Sequence, residues 1–296
     1  MHLVGDLISS KGKQTFINEL KKTNSSELAD ETVLCREVKD IIAGFSVQKK
    51  VYAIALGGSM ARGTADAASD YDIYIYLKGK LDTKIRESIL SPFCIYMEIG
   101  NAYWEQEDNC ILRNGIHIDI IYRNNHAFLQ EIAAVVEHGA SYNGYTTSLW
   151  HNATSGKILY EKKQYLTNLK KRFCIPYPKS LKNSIIQRNM NLLSNSITSY
   201  DKQIKKAVNR QDMVNINNRI AAFLDSYFDI IYAINEVKNP GEKNITERIV
   251  RKCKIIPKHF KENIDSLFYF MGNDVNKIND IIEKIIVELK CVVNTP

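Results

Sequence analysis

The stretch LGGSMARGTADAASDYDIYIYL, residues 56–77, decides how this chain is read. A turn rich in glycine and small residues ends on Asp70-Tyr71-Asp72 and runs directly into an alternating apolar segment. Side chains alternate faces along a strand, so the spacing predicts Asp70 and Asp72 on one face, with Tyr71, Ile73 and Ile75 turned into a core. At about 5 Å and an effective dielectric near 20, two such carboxylates repel by roughly 3 kcal/mol. A divalent cation removes that repulsion, and oxygen-preferring Mg²⁺ normally arrives carrying phosphate. The preceding turn suits that cargo. Gly57 and Gly58 allow close backbone approach, and Ser59 is expected both to cap a short helix over SMARG and to bond a phosphate oxygen. Arg62 either adds charge there or closes a salt bridge within the turn. A P-loop is excluded, because Gly58 and Gly63 have the right separation but Thr64 stands where the lysine belongs.

A third carboxylate is expected from GIHIDIIYR, residues 115–123. Ile118, Ile120 and Tyr122 form one face of that alternating strand, and Asp119 shares the other with His117. A charged Asp in such a strand is costly unless paired or metal-bound. Lying beside the first strand, it would become a third metal ligand and could help deprotonate an attacking hydroxyl. His117 reads either as a residue lining the site or as a rim histidine.

Around this centre the chain divides in two. Residues from about 8 to 45 read as helical, with a Ser N-cap in SSELADETVLCREVKDIIAGF and Gly44 as a stop. VYAIALGG, YDIYIYL, FCIYMEI, CILRN and IHIDIIY read as strands, and TKIRESIL and HAFLQEIAAVVEHG as helices. The two prolines of FCIPYP, residues 173–178, make the sharpest break. Long amphipathic helical stretches follow, with NPGEKN as a turn. The expected fold class is α+β: a mixed-sheet domain over residues 1–160, then an all-α helical bundle over 161–296. The 296 residues carry a net charge of +7, unevenly spread, with −3 over residues 1–160 and +10 over 161–296. A basic half suits a polyanionic partner or a phosphate-rich substrate, or simply keeps helix faces solvated. The chain lacks a membrane-spanning apolar run, a secretory core and any CxxC pair, so a cytoplasmic protein with reduced thiols is expected.

GGSMARGTADAASDYDIYIYL resembles the signature of the DNA polymerase beta-like nucleotidyltransferase superfamily: Gly-Ser, a gap of about ten residues, then Asp-x-Asp opening a strand. Asp119 in HIDIIY matches that family's third carboxylate. The match covers about residues 50–125, and the helical remainder more weakly resembles the bundles of antibiotic nucleotidyltransferases such as those acting on aminoglycosides. The resemblance implies transfer of an NMP group from a nucleoside triphosphate, ATP being the commonest, to an acceptor hydroxyl. Asp70, Asp72 and Asp119 would hold two Mg²⁺ ions, and Gly58 and Ser59 would anchor phosphates. Lys243, in a loop like one these enzymes carry between bundle helices, would reach a triphosphate or remain a solvated turn lysine. A small hydroxylated molecule such as an antibiotic is the first expectation for the acceptor, with Glu105, Glu107 and Asp108 of YWEQEDN either an acidic wall near the cleft or simply a hairpin loop. A tRNA- or protein-modifying enzyme of toxin type, and a silent partner-binding protein on the same fold, are the alternatives. Relatives of this kind also suggest a homodimer.

Overall fold

A computed structural model describes residues 34–63 and 69–294. Most of the expected N-terminal helix, including its Ser cap, lies outside the described residues. What is described begins with α1 (Arg36–Ser46), which buries Val38, Ile41, Ile42 and Phe45 at helical spacing. The chain forms two compact units, one of residues 1–129 and 155–172, the other of 130–154 and 173–296.

The first unit is built on a six-stranded sheet in the order β3-β4-β5-β2-β1-β6. Its strands are β1 (Val51–Leu56), β2 (Tyr71–Leu77), β3 (Cys94–Asn101), β4 (Gln106–Leu112), β5 (His117–Asn124) and β6 (Lys157–Glu161). All neighbours pair antiparallel except β2 and β5, which run parallel. A parallel pair needs a crossover; here it contains α3 (Thr83–Leu90) and the β3–β4 hairpin. Ile73 and Ile75 from β2 and Ile118, Ile120 and Tyr122 from β5 enter one apolar cluster with α1. That placement turns Asp72 and Asp119, one residue out of phase, to the other face of the sheet. Inside the cluster a buried Arg86 Nη1 lies 2.7 Å from Asp108 Oδ1, and Asp108 also accepts from the Tyr122 hydroxyl and the Gly100 amide.

The second unit is helical and centres on α9 (Met213–Ile234), whose residues from Ser226 to Ile234 are all buried. An apolar helix on every side marks a bundle centre rather than a surface helix. The stretch LKNSIIQRNMNLLSNSITSYDKQIKKAV forms two helices. α7 (Lys179–Met190) passes into a π-helical turn at Asn191–Asn195, and the helix resumes as α8 (Tyr200–Asn209). Ser199 marks the break, its hydroxyl donating to the Ser196 carbonyl. Chains of Ser and Asn offer the backbone such local alternatives to a helix.

Candidate active site

The strand register brings four polar residues into one row across the sheet. Asp72 of β2 pairs with Asp119 of β5, Asp119 with Asn109 of β4, and Asn109 with Glu98 of β3. Neighbouring strands lie about 4.8 Å apart, so Asp72 and Asp119 stand side by side as half-buried carboxylates on one face. The Asn109 amide donates to Asp119 Oδ1 at 2.9 Å, and its own oxygen accepts from Asn101 Nδ2 at 2.7 Å. Asn101 also donates to Glu98 Oε2 at 3.0 Å. These donors fix the rotation of the Asp119 carboxylate. Hydrogen bonds from Asn101 and Tyr96 lower the pKa of the exposed Glu98, which stays ionised.

The Gly-Gly pair fits closely against β2. The Gly57 amide donates to the Asp72 carbonyl at 2.8 Å, and a Cβ on Gly57 would sit 2.2 Å from the Tyr74 ring. Gly58 has φ +60, and a Cβ there would lie 1.7 Å from Asp72 Oδ2. Only glycine leaves that carboxylate its place. α2 (Gly58–Arg62) follows, ended by Gly63 at φ +66. Its cap position is Gly57, with no side-chain bond, so the helix begins one residue before the expected SMARG and Ser59 lies inside it rather than capping it. Ser59 is half-buried and Arg62 exposed. Burial raises the pKa of the Tyr74 hydroxyl; Arg123 opposes this, Asp72 and Glu105 add to it, and Arg62 also opposes it.

Of the expected ligands, the fold brings Asp72 and Asp119 together. Asp70 is exposed, one residue ahead of the strand, and His117 is exposed at the start of β5. Among the described residues no group of three or more His, Cys, Asp or Glu side chains stands ready to hold a metal. The donor set nevertheless suits a hard divalent cation: two adjacent all-oxygen ligands, one seated in a cradle that a Cβ would fill. Lys243 belongs to the second unit and is exposed in the turn before α10 (Ile245–Lys252).

The acidic wall expected from YWEQEDN is mostly committed elsewhere. Asp108 is fully buried on Arg86, and Glu105 binds Arg123 through Nε at 2.7 Å and Nη2 at 2.6 Å. The Arg123 guanidinium lies 4.3 Å from the Tyr74 ring centroid. Glu107 shares the face of Asp119; its pKa is raised by burial, then by the charges of Asp119 and Glu105. Asn109 carries a signal that could have been used: the hairpin turn around Gly115, at φ +84, fixes which β4 residue faces Asp119. Asp225 and Asp229, one turn apart on α9, are tied within the second unit: Asp225 accepts from the Tyr145 hydroxyl at 2.9 Å, and Asp229 from the Thr146 amide at 3.2 Å.

Residues 36–140 match the family model of a nucleotidyltransferase domain, and residues 145–244 that of a domain of unknown function, DUF4037. Among solved structures, the chain is similar to a nucleotidyltransferase-like protein from Exiguobacterium sibiricum 255-15. The identity is 11% and the TM-score 0.42, over 87% of this chain and 73% of that one. It is also similar to an aminoglycoside 6-adenyltransferase from Bacillus subtilis, at 11% identity and TM-score 0.29, over 89% of this chain and 93% of that one. A third similarity is to the Thermotoga maritima CCA-adding enzyme complexed with tRNA, at 10% identity and TM-score 0.25, over 95% and 82%. No curated protein matches the chain. With the glycine turn, the paired aspartates and the family match in agreement, residues 36–140 of this chain are a nucleotidyltransferase domain.

Proposed function

We propose that the chain moves an NMP group from a nucleoside triphosphate, ATP in the first instance, to the hydroxyl of an acceptor. The observation that carries this reading is the direct pairing of Asp72 with Asp119, with the Asp72 carboxylate seated against Gly58. Asp72 and Asp119, joined by Asp70, would hold the two Mg²⁺ ions, which when bound supply charge neutralisation for the triphosphate and for the attacking oxygen. The chain's own part is positioning and charge. Asn109 holds Asp119 in one rotamer. The Gly57–Ser59 backbone and the Ser59 hydroxyl offer phosphate contacts beside Asp72, with Arg62 supplying positive charge.

The favoured acceptor is a small hydroxylated molecule carrying positive charge. What supports this is the acidic continuation of the row, where Glu98 and Glu107 stand on the same face as the two aspartates. An RNA acceptor is the second reading, supported by the +10 charge of residues 161–296.

The test is Mg²⁺-dependent release of pyrophosphate from each α-labelled nucleotide in the presence of cell extract, with the label then sorted into small-molecule, RNA and protein fractions. Asp72→Asn and Asp119→Asn are each expected to leave a folded protein with turnover lowered at least about 100-fold. Undiminished turnover in both variants would refute the assignment. Label in the small-molecule fraction supports the favoured acceptor. Label in RNA or protein displaces it, and no transfer at all points to a binding protein on this fold.

A further inference from the structure

A second feature of the first unit lies at the opposite end of the sheet. Asp72 and the end of β1 mark one end; the start of β1, the end of β2 and the end of β6 mark the other, about 20 Å away along six-residue β1. There a groove of about 260 Å³ is walled by Tyr52 and Tyr165 and rimmed by Lys162, Lys163, Asn168 and Arg172.

The groove is built, not incidental. The Lys162 amide donates to the Tyr52 carbonyl at 2.7 Å, extending the β1–β6 ladder past the last strand residue. Lys162 Nζ donates to the carbonyls of Gln48 at 3.0 Å and Lys49 at 3.4 Å, which fixes its charge at the rim. The Tyr165 hydroxyl donates to the Asn125 carbonyl at 2.6 Å, which fixes its ring as a wall. Between them Lys163 and Gln164 are consecutive residues at φ +53. Two neighbouring non-glycine residues in the left-handed region are uncommon, and such strain concentrates at functional sites.

The charge around the groove extends well beyond it. Of the basic residues in 157–172, Lys162, Lys163 and Arg172 line the groove, while Lys157 and Lys170 lie toward the other end of β6; the one acid there, Glu161, has its carboxylate taken by Thr167. The adjacent strand ends add exposed Lys49, Lys50, Lys78 and Lys80, with Lys50 Nζ donating to the Lys80 carbonyl. A single phosphate needs two or three cations; a row spread over three strand ends fits a repeating backbone charge. An aromatic-walled slot within a cationic track is what an unpaired base and its phosphates require. We infer that this end of the sheet is a docking site for single-stranded RNA, with a base in the Tyr52–Tyr165 groove and backbone phosphates along Lys162, Lys163 and Arg172.

The experiment uses the full chain and a fluorescein-labelled single-stranded RNA of about 12 nucleotides. Anisotropy is read across a salt series in EDTA without nucleotide, so the outcome does not depend on nucleotidyl transfer. The wild type is expected to bind with an affinity that falls steeply with salt. Lys163→Glu with Arg172→Glu should weaken binding at least about tenfold and flatten the log Kd against log salt slope by about 2. Tyr52→Ala should weaken it about tenfold and leave the slope unchanged. Lys205→Glu, exposed on α8 (Tyr200–Asn209) of the second unit, should change neither. Circular dichroism melts establish that each variant is folded. Absence of salt-dependent binding by the wild type overturns the proposal, as does a folded double variant that binds like the wild type or a blunt duplex bound as tightly as the single strand.

Discussion

Gly58 shows how one residue can serve the backbone and the chemistry together. Its φ of +60 already disfavours any side chain, and its missing Cβ is what leaves the Asp72 carboxylate in place. Gly58→Ala is expected to destabilise the fold by about 1–2 kcal/mol through the left-handed conformation. It should lower nucleotidyl transfer far more, because Asp72 must turn away; melting temperature and pyrophosphate release, measured on the same preparation, separate the two effects. The alternation that turns Asp119 away from Ile118 and Ile120 is legible in the sequence, since a period of two is a local property. Its neighbour across the sheet is not, because inter-strand register is set by tertiary pairing. Asn109 is readable only through the β4–β5 turn at Gly115, and Asp108, one residue away, is buried on Arg86 rather than part of an acidic wall.

At the scale of elements, two buried carboxylates hold segments together and behave differently. Asp108 ties β4 to α3 through Arg86 and to β5 through Tyr122; burial raises its pKa against the pull of those partners. Arg86→Leu should cost about 3–5 kcal/mol, since it strands a buried charge, and Arg86→Leu with Asp108→Leu should recover most of that in denaturant titrations. Asp229 anchors the 142–147 segment to α9, and burial raises its pKa to about 6. Between about pH 4 and 6 the folded form therefore holds a proton that the unfolded chain, with an ordinary value near 3.9, has released. Stabilisation from this group is full below about pH 4 and is lost as pH rises through 6, amounting to about 2–3 kcal/mol. Asp229→Asn should flatten that part of the stability profile between pH 4.5 and 7, read as urea midpoints. Long apolar periodicity made α9 easy to foresee. β6 is not legible in the sequence, because KILYE is a five-residue edge strand whose lysine and glutamate ends imitate a loop.

On the scale of the whole molecule, the chain passes from one unit to the other more than once. Residues 130–154 pack with the second unit before 155–172 complete the first. Trp150, 1% exposed, donates its indole N–H to the Phe173 carbonyl at 2.8 Å, a contact inside the second unit. A chain cut after Arg172 therefore keeps every segment of the first unit but leaves Trp150 and its neighbours without their bundle. Such a fragment is expected to aggregate or bind a hydrophobic dye, whereas the full chain should not; dye fluorescence and size-exclusion chromatography report the difference. Composition shifts and the Pro-rich break marked the change in character near residue 173, but interleaving of this kind leaves no local trace. Among the described residues no helix is long and apolar enough to cross a membrane.

The parallel pairing of β2 with β5 also dictates when the Asp72–Asp119 face can exist. No hairpin can join two strands that run the same way, so Asp72 waits for a helix and a whole hairpin to fold before its counterpart arrives. Length changes in that intervening excursion are tolerable, since they alter only how far the chain wanders before returning. A single deletion inside β5 is a different matter: it would rotate the strand's outward set inward and point residue 119 among the isoleucines.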